Sequence, residues 1–263
     1  MRQTSLVEST INEIEKLMSH NRAVPFVLFS GGKDSLISLD LVSRASERLQ
    51  RKPIAIHADT TVSLPCNIEY VKNICDQLKV ELVIVRPRAS YFELAERWGL
   101  PRFRARWCCH ALKIGPVNEH LMQQQGDKII FDGIRAEESK ARSEIDFLGY
   151  DKKLGCTLCH PVVSWTSTDV KMYLEKRGLP VNPAYAKGFR RASECWCGVF
   201  KDPGEFELLF VHYPALFDRL LELESKQKSG FGYIYSHGKG IFLRDMKEEI
   251  LNKCKAESTG KRG

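Results

Sequence analysis

The 263-residue sequence lacks several features that would assign it to a class at once. It has no internal repeat and no run of about eighteen apolar residues, so no membrane span is predicted. Its first twenty residues carry no apolar core followed by a cleavage site; Leu6, Ile11, Ile14 and Leu17 recur at helical spacing instead. We therefore expect an amphipathic N-terminal helix, a cytoplasmic protein and no membrane partner.

A strong excess of either charge is also missing. Forty basic residues against 33 acidic ones give a net charge of +7. A mild positive surplus suits an anionic small molecule such as a nucleotide. It would also suit RNA, but no RNA-binding appendage is recognisable.

The Walker pattern G-x-x-x-x-G-K-[ST] is absent, but another phosphate-binding pattern is present. An apolar run at 24–29 stops at Ser30-Gly31-Gly32-Lys33-Asp34-Ser35, and a helix-compatible stretch begins at Leu36. A strand, a glycine turn and a helix N-terminus in this order direct free backbone amides and the positive end of a helix dipole at one point. Glycines let an anion approach the backbone, and Lys33 adds a positive charge. This segment predicts a phosphate site.

Strands and helices alternate through most of the chain, which predicts an α/β fold with a doubly wound parallel sheet. The predicted strands are 24–29, 53–58, 81–86 and 128–132, with a further extended segment at 161–163. The predicted helices are 36–49, 67–78, 91–98, 108–124, 166–177, 203–227 and 240–254. We expect an N-terminal helix at 1–22, a nucleotide-binding domain at 23–200, and a helical C-terminal subdomain with a tail at 201–263.

Polar residues follow the predicted strands, at the sheet edge where ligands of such folds bind. Asp59 follows the second strand and suits a ribose hydroxyl or Mg²⁺, or alternatively starts a turn. Arg135 and Arg142 follow the fourth strand and suit an anionic group. In an alternative interpretation, Arg142 forms an i, i+4 surface ion pair with Glu138 on a helix.

Nine cysteines are many for a protein of this compartment, and six of them fall in three close pairs. The pairs are Cys108-Cys109, Cys156-x-x-Cys159 and Cys195-x-Cys197. Because a tetrahedral thiolate site needs four sulfurs, two pairs suit an iron–sulfur cluster or zinc. Unligated thiols are the alternative. Cys66 and Cys75 lie in a predicted helix, where we expect both to pack.

Taken together, these segments resemble the phosphoadenosine-phosphosulfate (PAPS) reductase family. This family is a branch of the PP-loop ATP pyrophosphatase superfamily, whose fold is adenine nucleotide alpha-hydrolase-like and Rossmann-like. Four segments carry the resemblance: Ser30–Ser35, Asp59-Thr60-Thr61 with Leu64-Pro65, Gly133-Ile134-Arg135 with Glu138-Ser139 and Arg142, and His160–Thr166 continuing through Asp169-Val170 to Leu179–Pro183.

The resemblance implies roles for these residues. Lys33, Asp34, Arg135 and Arg142 would be catalytic. An adenine nucleotide with Mg²⁺ would be bound by Ser30, Gly31, Gly32, Lys33, Asp34, Ser35, Asp59, Gly133, Glu138 and Ser139. A [4Fe–4S] cluster would be held by Cys108, Cys109, Cys195 and Cys197, with Cys156 and Cys159, or zinc, as the alternatives. One departure is that Glu194 stands where the family has the first cysteine of its second pair, and Cys195 is shifted by one.

The reductases of this family use a C-terminal Glu-Cys-Gly-(Leu/Ile)-His motif, which is absent here; Cys254 is the nearest candidate. The intact Ser-Gly-Gly-x-Asp-Ser loop is typical of ATP users. Adenylation or α-phosphate cleavage coupled to sulfur chemistry is therefore the first hypothesis. The others are a reductase of adenylyl sulfate or PAPS with a thioredoxin-like donor, a tRNA-thiolating enzyme, and a non-catalytic regulator that depends on a nucleotide or cluster. A homo-oligomer is compatible with each.

Overall fold

The computed structural model describes residues 2–20, 22–192, 195–199, 201–227, 232–236 and 239–260. Glu194 and the side chain of Cys254 lie outside this description. The α-helices are α1 Arg2–Ser19, α2 Lys33–Arg48, α3 Cys66–Leu78, α4 Tyr91–Trp98, α5 Trp107–Cys109, α6 Gly115–Gln123, α7 Ser167–Arg177, α8 Pro203–His212, α9 Pro214–Ser225 and α10 Leu243–Gly260. The strands are β1 Val24–Leu28, β2 Ile54–Ala58, β3 Glu81–Val85, β4 Lys128–Phe131, β5 Leu148–Asp151, β6 Cys156–Cys159, β7 Ile234–Ser236 and β8 Lys239–Ile241.

Six strands form one sheet in the order β3-β2-β1-β4-β6-β5. Every neighbouring pair is parallel except β5 and β6, which are antiparallel. Helices cover the sheet, so the predicted α/β class with a doubly wound, mainly parallel sheet is confirmed. The chain reverses its direction of travel across the sheet at β1, because β2 and β3 lie on one side of it and β4 on the other.

Alternation along the central strands explains why both sheet faces are covered. Phe26 packs with residues of α6 on one face, whereas Val27 packs with residues of α1 and α2 on the other. Successive side chains of a strand point to opposite faces, so a strand that is apolar at every position needs a cover on both sides. The N-terminal helix belongs to this core through Ile11 and Ile14, which are fully buried.

The predicted element boundaries match closely for β1 to β4 and for most helices. The predicted helix 203–227 is two helices, α8 and α9, which are separated at Tyr213, and β5 had no predicted counterpart. The predicted helix 108–124 is divided into α5, a π-helical turn at His110–Ile114, and α6. The predicted extended segment 161–163 is wrong: the strand is β6, and a turn follows, with hydrogen bonds from Val163 N to His160 O and from Trp165 N to Val162 O. Apolar β-branched residues suggested a strand there, but their burial comes from a turn that enters the core.

Helices α8, α9 and α10 pack around a hydrophobic cluster that also contains Val62, Tyr91, Cys108 and Trp196. Strands β7 and β8 form an antiparallel two-stranded ribbon that the sequence did not indicate. In the sequence the ribbon lies between α9 and α10. The predicted domain boundaries stay predictions. In the described ranges, no helix combines the length and the apolarity needed to cross a bilayer.

Glu224 of α9 holds this C-terminal region together. Its buried carboxylate accepts hydrogen bonds from the backbone amides of Tyr233, Leu243 and Arg244 at 3.0, 2.9 and 3.3 Å. Replacing it with alanine leaves buried amides without partners, so we expect Glu224→Ala to lower the free energy of unfolding by about 2–4 kcal/mol. Denaturant unfolding measures this, with the exposed Glu222→Ala as control.

Burial also raises the pKa of the Glu224 carboxyl group. The folded state then favours the protonated form, so this group's contribution to stability falls as the pH rises through the raised pKa. Glu224→Gln removes that titration. An identical pH dependence of the free energy of unfolding in wild type and Glu224→Gln would contradict a raised pKa of Glu224 in the folded state.

Candidate functional site

The loops that follow β1 and β4 meet at the point where the strand order reverses. A Cβ on Gly133, after β4, would lie 2.5 Å from the backbone nitrogen of Ser35, so no larger residue fits without moving the loop. Ligands of open α/β sheets bind at such a crevice, outside the carboxyl ends of the strands. The predicted phosphate loop and Gly133 therefore share one site.

Glycine is required within the phosphate loop, which we define as Ser30–Ser35. Gly31 has φ +87°, and a Cβ there would lie 2.5 Å from Asn67 Oδ1. The Ser30 and Ser35 hydroxyls lie 3.1 Å apart, and Ser35 Oγ donates to Gly32 O at 2.9 Å. These contacts hold the loop in a tight turn before helix α2.

The first turn of α2 is open to an anion. The helix begins at Lys33, and its N-cap residue, Gly32, provides no side-chain hydrogen bond. Lys33 is half-buried, and no carboxylate in the described ranges pairs with its ammonium group. Backbone amides and a cation without a carboxylate partner among the described residues favour a phosphate at a helix N-terminus.

Arg135 does not face this loop as an available cation. Its side chain is 5% exposed, and its Nε donates to Asp34 Oδ1 at 2.7 Å. Nη1 donates to Glu137 Oε2 at 2.6 Å and to Trp165 O at 3.3 Å. Two carboxylates and a carbonyl thus accept from Nε and Nη1 of Arg135. The predicted catalytic roles of Arg135 and Asp34 stay predictions.

Arg142 lies farther along the same segment and pairs with Glu138, as in the alternative interpretation of the sequence. The pair forms across a 3₁₀ turn, Ala136–Glu138, and the turns after it, not on an α-helix. Ser139 is exposed, and its carbonyl accepts from Arg142 N at 2.9 Å. The proposed catalytic and nucleotide-binding roles of Arg142, Glu138 and Ser139 stay predictions.

Asp59, at the end of β2, uses both carboxylate oxygens within the protein. Oδ1 accepts from Thr61 N at 3.0 Å, which is the predicted turn, and Oδ2 accepts from Arg86 Nε at 2.8 Å. Thr61 has φ +62°, the left-handed region, where the family pattern that the sequence resembles has glycine. A nucleotide ribose or Mg²⁺ at Asp59 would replace the contact with Arg86, which is 63% exposed.

Three side chains from other parts of the chain form hydrogen bonds with the backbone of the phosphate loop or with one another. Asn67 Nδ2 donates to Ser30 O at 3.3 Å, and Asn182 Nδ2 donates to Gly31 O at 3.3 Å and Asn67 Oδ1 at 2.9 Å. Tyr185 Oη accepts from Lys33 N at 3.2 Å. Asn182 belongs to a segment already noted, but no local signal links Asn67 or Tyr185 to the loop.

The structure brings together four of the predicted metal-binding cysteines, named here the thiol group: Cys108, Cys109, Cys195 and Cys197. Cys108 Sγ lies 3.5 Å from Cys197 Sγ, and Cys108 also interacts with the thiols of Cys109 and Cys195. Trp196, which lies between Cys195 and Cys197, donates its backbone N–H to Val62 O at 2.8 Å. This bond joins the thiol group to the segment that follows Asp59.

The four thiols shift one another's ionisation. The hydrogen bond from Cys108 lowers the pKa of Cys109 to about 7, and hydrogen bonds from Cys108 and Cys195 lower the pKa of Cys197. The same contacts raise the pKa of Cys108. Four sulfurs that include favoured thiolates are a donor set suited to zinc or an iron–sulfur cluster.

The ligand geometry of a metal site is not formed, however. In the part of the chain that the structure describes, no group of three or more His, Cys, Asp or Glu side chains is positioned to hold a metal ion. Cys156 and Cys159 do not join the thiol group: they pack in clusters on opposite faces of the sheet, as strand residues three positions apart must. Burial raises the pKa of both thiols.

Several curated proteins are similar in sequence to this chain. Two uncharacterised proteins of Methanocaldococcus jannaschii are each 29% identical, over 209 and 216 residues, covering 78% and 79% of this chain but 47% and 44% of those proteins. The chain thus spans about half the length of these relatives. An adenosine 5'-phosphosulfate reductase of Halalkalibacterium halodurans is 27% identical over 165 residues, which is 61% of this chain and 68% of that protein.

Solved structures share the fold at low sequence identity. A PAPS reductase from Candida auris, in a phosphate complex, is 19% identical with a TM-score of 0.53, covering 72% of this chain and 89% of that one. The U34-tRNA thiolase NcsA from Methanococcus maripaludis, with its [4Fe–4S] cluster, is 15% identical with a TM-score of 0.54, covering 84% and 80%.

The family model described as the phosphoadenosine phosphosulfate reductase domain matches residues 24–197, which runs from β1 through the phosphate loop and Arg135 to the last residue of the thiol group. The chain belongs to the phosphoadenosine phosphosulfate reductase family, within the PP-loop superfamily.

Proposed function

We propose that the chain is an enzyme that binds ATP at the phosphate loop and acts at its α-phosphate, by adenylation or cleavage, in sulfur metabolism. The observation that carries this proposal is the N-terminus of α2, where Gly32 provides no side-chain cap and the half-buried Lys33 has no carboxylate partner among the described residues. The loop keeps Ser-Gly-Gly-x-Asp-Ser, the form typical of ATP users.

In this proposal the loop backbone and the Ser30 hydroxyl donate to phosphate oxygens, and the Ser35 hydroxyl does so after releasing Gly32 O. Gly31, Gly32 and Gly133 allow close approach. Lys33 stabilises negative charge on the pyrophosphate leaving group. Asp34 and Arg135 act through their ion pair, which fixes the direction of the first turn of α2. Mg²⁺ would enter with the nucleotide, held mainly by phosphate oxygens, and would supply further charge neutralisation.

The nucleoside side of the site is assigned to the loops after β2 and β4. Asp59 would accept from a ribose hydroxyl after releasing Arg86. Glu138 ends the 3₁₀ turn, and Ser139 and Arg142 follow it on a segment where all three would meet an acceptor or a phosphoryl group.

We also propose that the thiol group holds a [4Fe–4S] cluster, with zinc as the alternative. The donor set of four converging cysteines supports this, and a tRNA thiolase of the same fold carries such a cluster. When bound, a cluster would bind sulfur or transfer electrons. The residues of this chain would supply four thiolates and a covering layer of aromatic side chains.

A second candidate is a reductase that splits adenylyl sulfate or PAPS into sulfite and a nucleotide. The observation that favours it is the resemblance to adenosine 5'-phosphosulfate reductases over 61% of the chain. A thioredoxin-like donor would then be needed. Thiolation of tRNA and nucleotide-dependent regulation are further alternatives, and a homo-oligomer is compatible with all of them.

The first test removes the loop cation. Lys33→Ala should weaken ATP binding about 10- to 100-fold, because a hydrogen bond to a charged group is worth about 1.5–3 kcal/mol. Calorimetry with ATP, adenylyl sulfate and PAPS in the presence of Mg²⁺ measures the change, with exposed Lys72→Ala on α3 as the matched control.

The same titrations decide between the candidates. Pyrophosphate release from ATP supports the first proposal, and thioredoxin-dependent sulfite release from a sulfated nucleotide supports the second. Absence of affinity for every adenine nucleotide, or equal affinity in wild type and Lys33→Ala, would contradict the proposed site.

The second test concerns the thiol group. Cys197→Ser and Cys109→Ser should each remove most of the bound metal from anaerobically purified protein, whereas Cys156→Ser, a buried thiol on the sheet, should retain it. Iron, acid-labile sulfide and zinc are measured together: iron with sulfide indicates a cluster, and zinc without sulfide indicates a zinc site. Unchanged metal content in Cys197→Ser would rule out this ligand set.

A further inference from the structure

A basic and aromatic surface precedes the first cysteine pair, and the proposed function does not use it. Between Glu96 and Glu119 the sequence carries four arginines and one lysine but no acidic residue. Five exposed residues of this stretch are named here the arginine surface: Trp98, Arg102, Phe103, Arg104 and Arg106. Trp98 is 58% exposed and Phe103 is 65% exposed. Aromatic side chains and arginines are enriched in binding surfaces, so their joint exposure indicates a partner.

The tip of the arginine surface is a tight turn. Arg102 N donates to Ala105 O at 3.2 Å, and Ala105 N donates to Arg102 O at 2.9 Å. Phe103 and Arg104 lie between these two residues and therefore form the tip of the turn. The Arg106 guanidinium lies 5.6 Å from the centre of the Phe103 ring, so a cation and an exposed ring are held side by side.

A row of aromatic rings connects the arginine surface to the core. The Trp107 ring stacks on the fully buried Tyr91, with ring centres 5.9 Å apart. On Trp107 packs the edge of Trp98, at 5.4 Å, and Trp107 Nε1 donates to Gly99 O at 3.1 Å. Because these contacts hold the exposed Trp98 ring in place, a partner that stacks on it would lose little side-chain entropy in ordering it.

The arginine surface meets the thiol group at Cys109, which is half-buried. Besides the hydrogen bond from Cys108, the positive charges of Arg106 and Lys113 lower the pKa of Cys109. Both cations therefore lie near this sulfur. A partner bound across the arginine surface would come close to the proposed sulfur chemistry.

The residue types favour one class of partner. Any polyanion would be attracted by the charge, but the planar guanidinium of arginine also forms paired hydrogen bonds with phosphate. Exposed aromatic rings stack on bases that are not paired, which a duplex hides between its base pairs. An anionic membrane is favoured instead by an amphipathic helix, whereas Phe103 and Arg104 lie in a turn.

We infer that the arginine surface binds a single-stranded segment of a nucleic acid, RNA or DNA, and brings it to the thiol group. The arginines contact its phosphates, and Trp98 and Phe103 stack on its bases. This inference goes beyond the proposed function, because the binding needs neither ATP nor a bound metal. Only a role of the strand as an acceptor of sulfur would rest on the proposed function.

The first experiment measures binding of a fluorescently labelled single-stranded RNA of about 12 nucleotides by fluorescence anisotropy. Phe103→Ala should weaken binding about tenfold, because the stacking of one base is lost, whereas Phe103→Tyr keeps a ring and should bind like wild type. Exposed Tyr150→Ala on β5 is the matched control and should bind like wild type. Equal affinity of wild type, Phe103→Ala and Trp98→Ala would overturn the inference.

The second experiment repeats the titration over a range of salt concentrations. Each phosphate contact with a single strand contributes about 0.7 to the slope of log K against log salt concentration. The double variant Arg102→Ala/Arg104→Ala should therefore give a slope that is shallower by about 1.4. Exposed Arg22→Ala, which precedes β1, is the matched control. The same slope in wild type and the double variant would contradict phosphate contacts by these arginines.

Three further probes separate the sources of the anionic chemistry: single-stranded DNA of the same sequence, the corresponding RNA duplex, and vesicles containing phosphatidylserine. Tighter binding of RNA than of DNA would assign RNA, and equal affinities would assign single strands of either kind. A duplex bound as tightly as the single strand, or binding to vesicles but to neither single strand, would overturn the inference. None of these mixtures contains ATP, so failure of the proposed function would appear separately, as absent heat on titration with ATP.

Discussion

The buried ion pair between Arg135 and Asp34 is the contact on which the candidate site depends. It joins the loop after β4 to the first turn of α2, and these two segments are 101 residues apart in the sequence. A buried guanidinium is costly unless its donors are satisfied, and here Glu137 and the Trp165 carbonyl accept from Nη1. Gly133 permits the approach, because any side chain there would meet the backbone of Ser35. The geometry of the phosphate loop is thus set by long-range contacts as well as by its own glycines.

The side-chain amides of two asparagines connect the phosphate loop to more distant parts of the chain. Asn67 and Asn182 hold the carbonyls of Ser30 and Gly31, so the backbone on the far side of the loop has partners before any ligand arrives. On the opposite side, the N-cap residue Gly32 gives the first turn of α2 no side-chain cap, and Lys33 N donates to Tyr185 Oη. A loop whose carbonyls already have partners directs its remaining amides toward an anion.

Local patterns were sufficient to predict strands β1 to β4, most helices and the turn between β1 and α2, because each of these is specified by neighbouring residues. Contacts between distant residues were not predictable in this way. Arg135 looked like an available cation because its partner Asp34 lies in another motif. The Cys156 and Cys159 pair looked like half of a metal site, but strand geometry directs the two thiols to opposite faces. Cys66 packs with the C-terminal hydrophobic cluster, but its contact with Tyr213 was not predictable, because Tyr213 follows it by more than a hundred positions.

The two cysteine sites differ in a way that bears on their chemistry. Each sulfur of the thiol group has other sulfurs as its neighbours, and gathering several thiolates in one place requires a positive charge among them, which a metal or cluster supplies. Cys66 instead has no sulfur partner: its Sγ lies 3.1 Å from Tyr213 Oη, which accepts from Lys187 Nζ. The thiol group is linked to the segment after Asp59, and Cys66 is linked to the phosphate loop through its neighbour Asn67, so both cysteine sites adjoin the loops of the proposed nucleotide site.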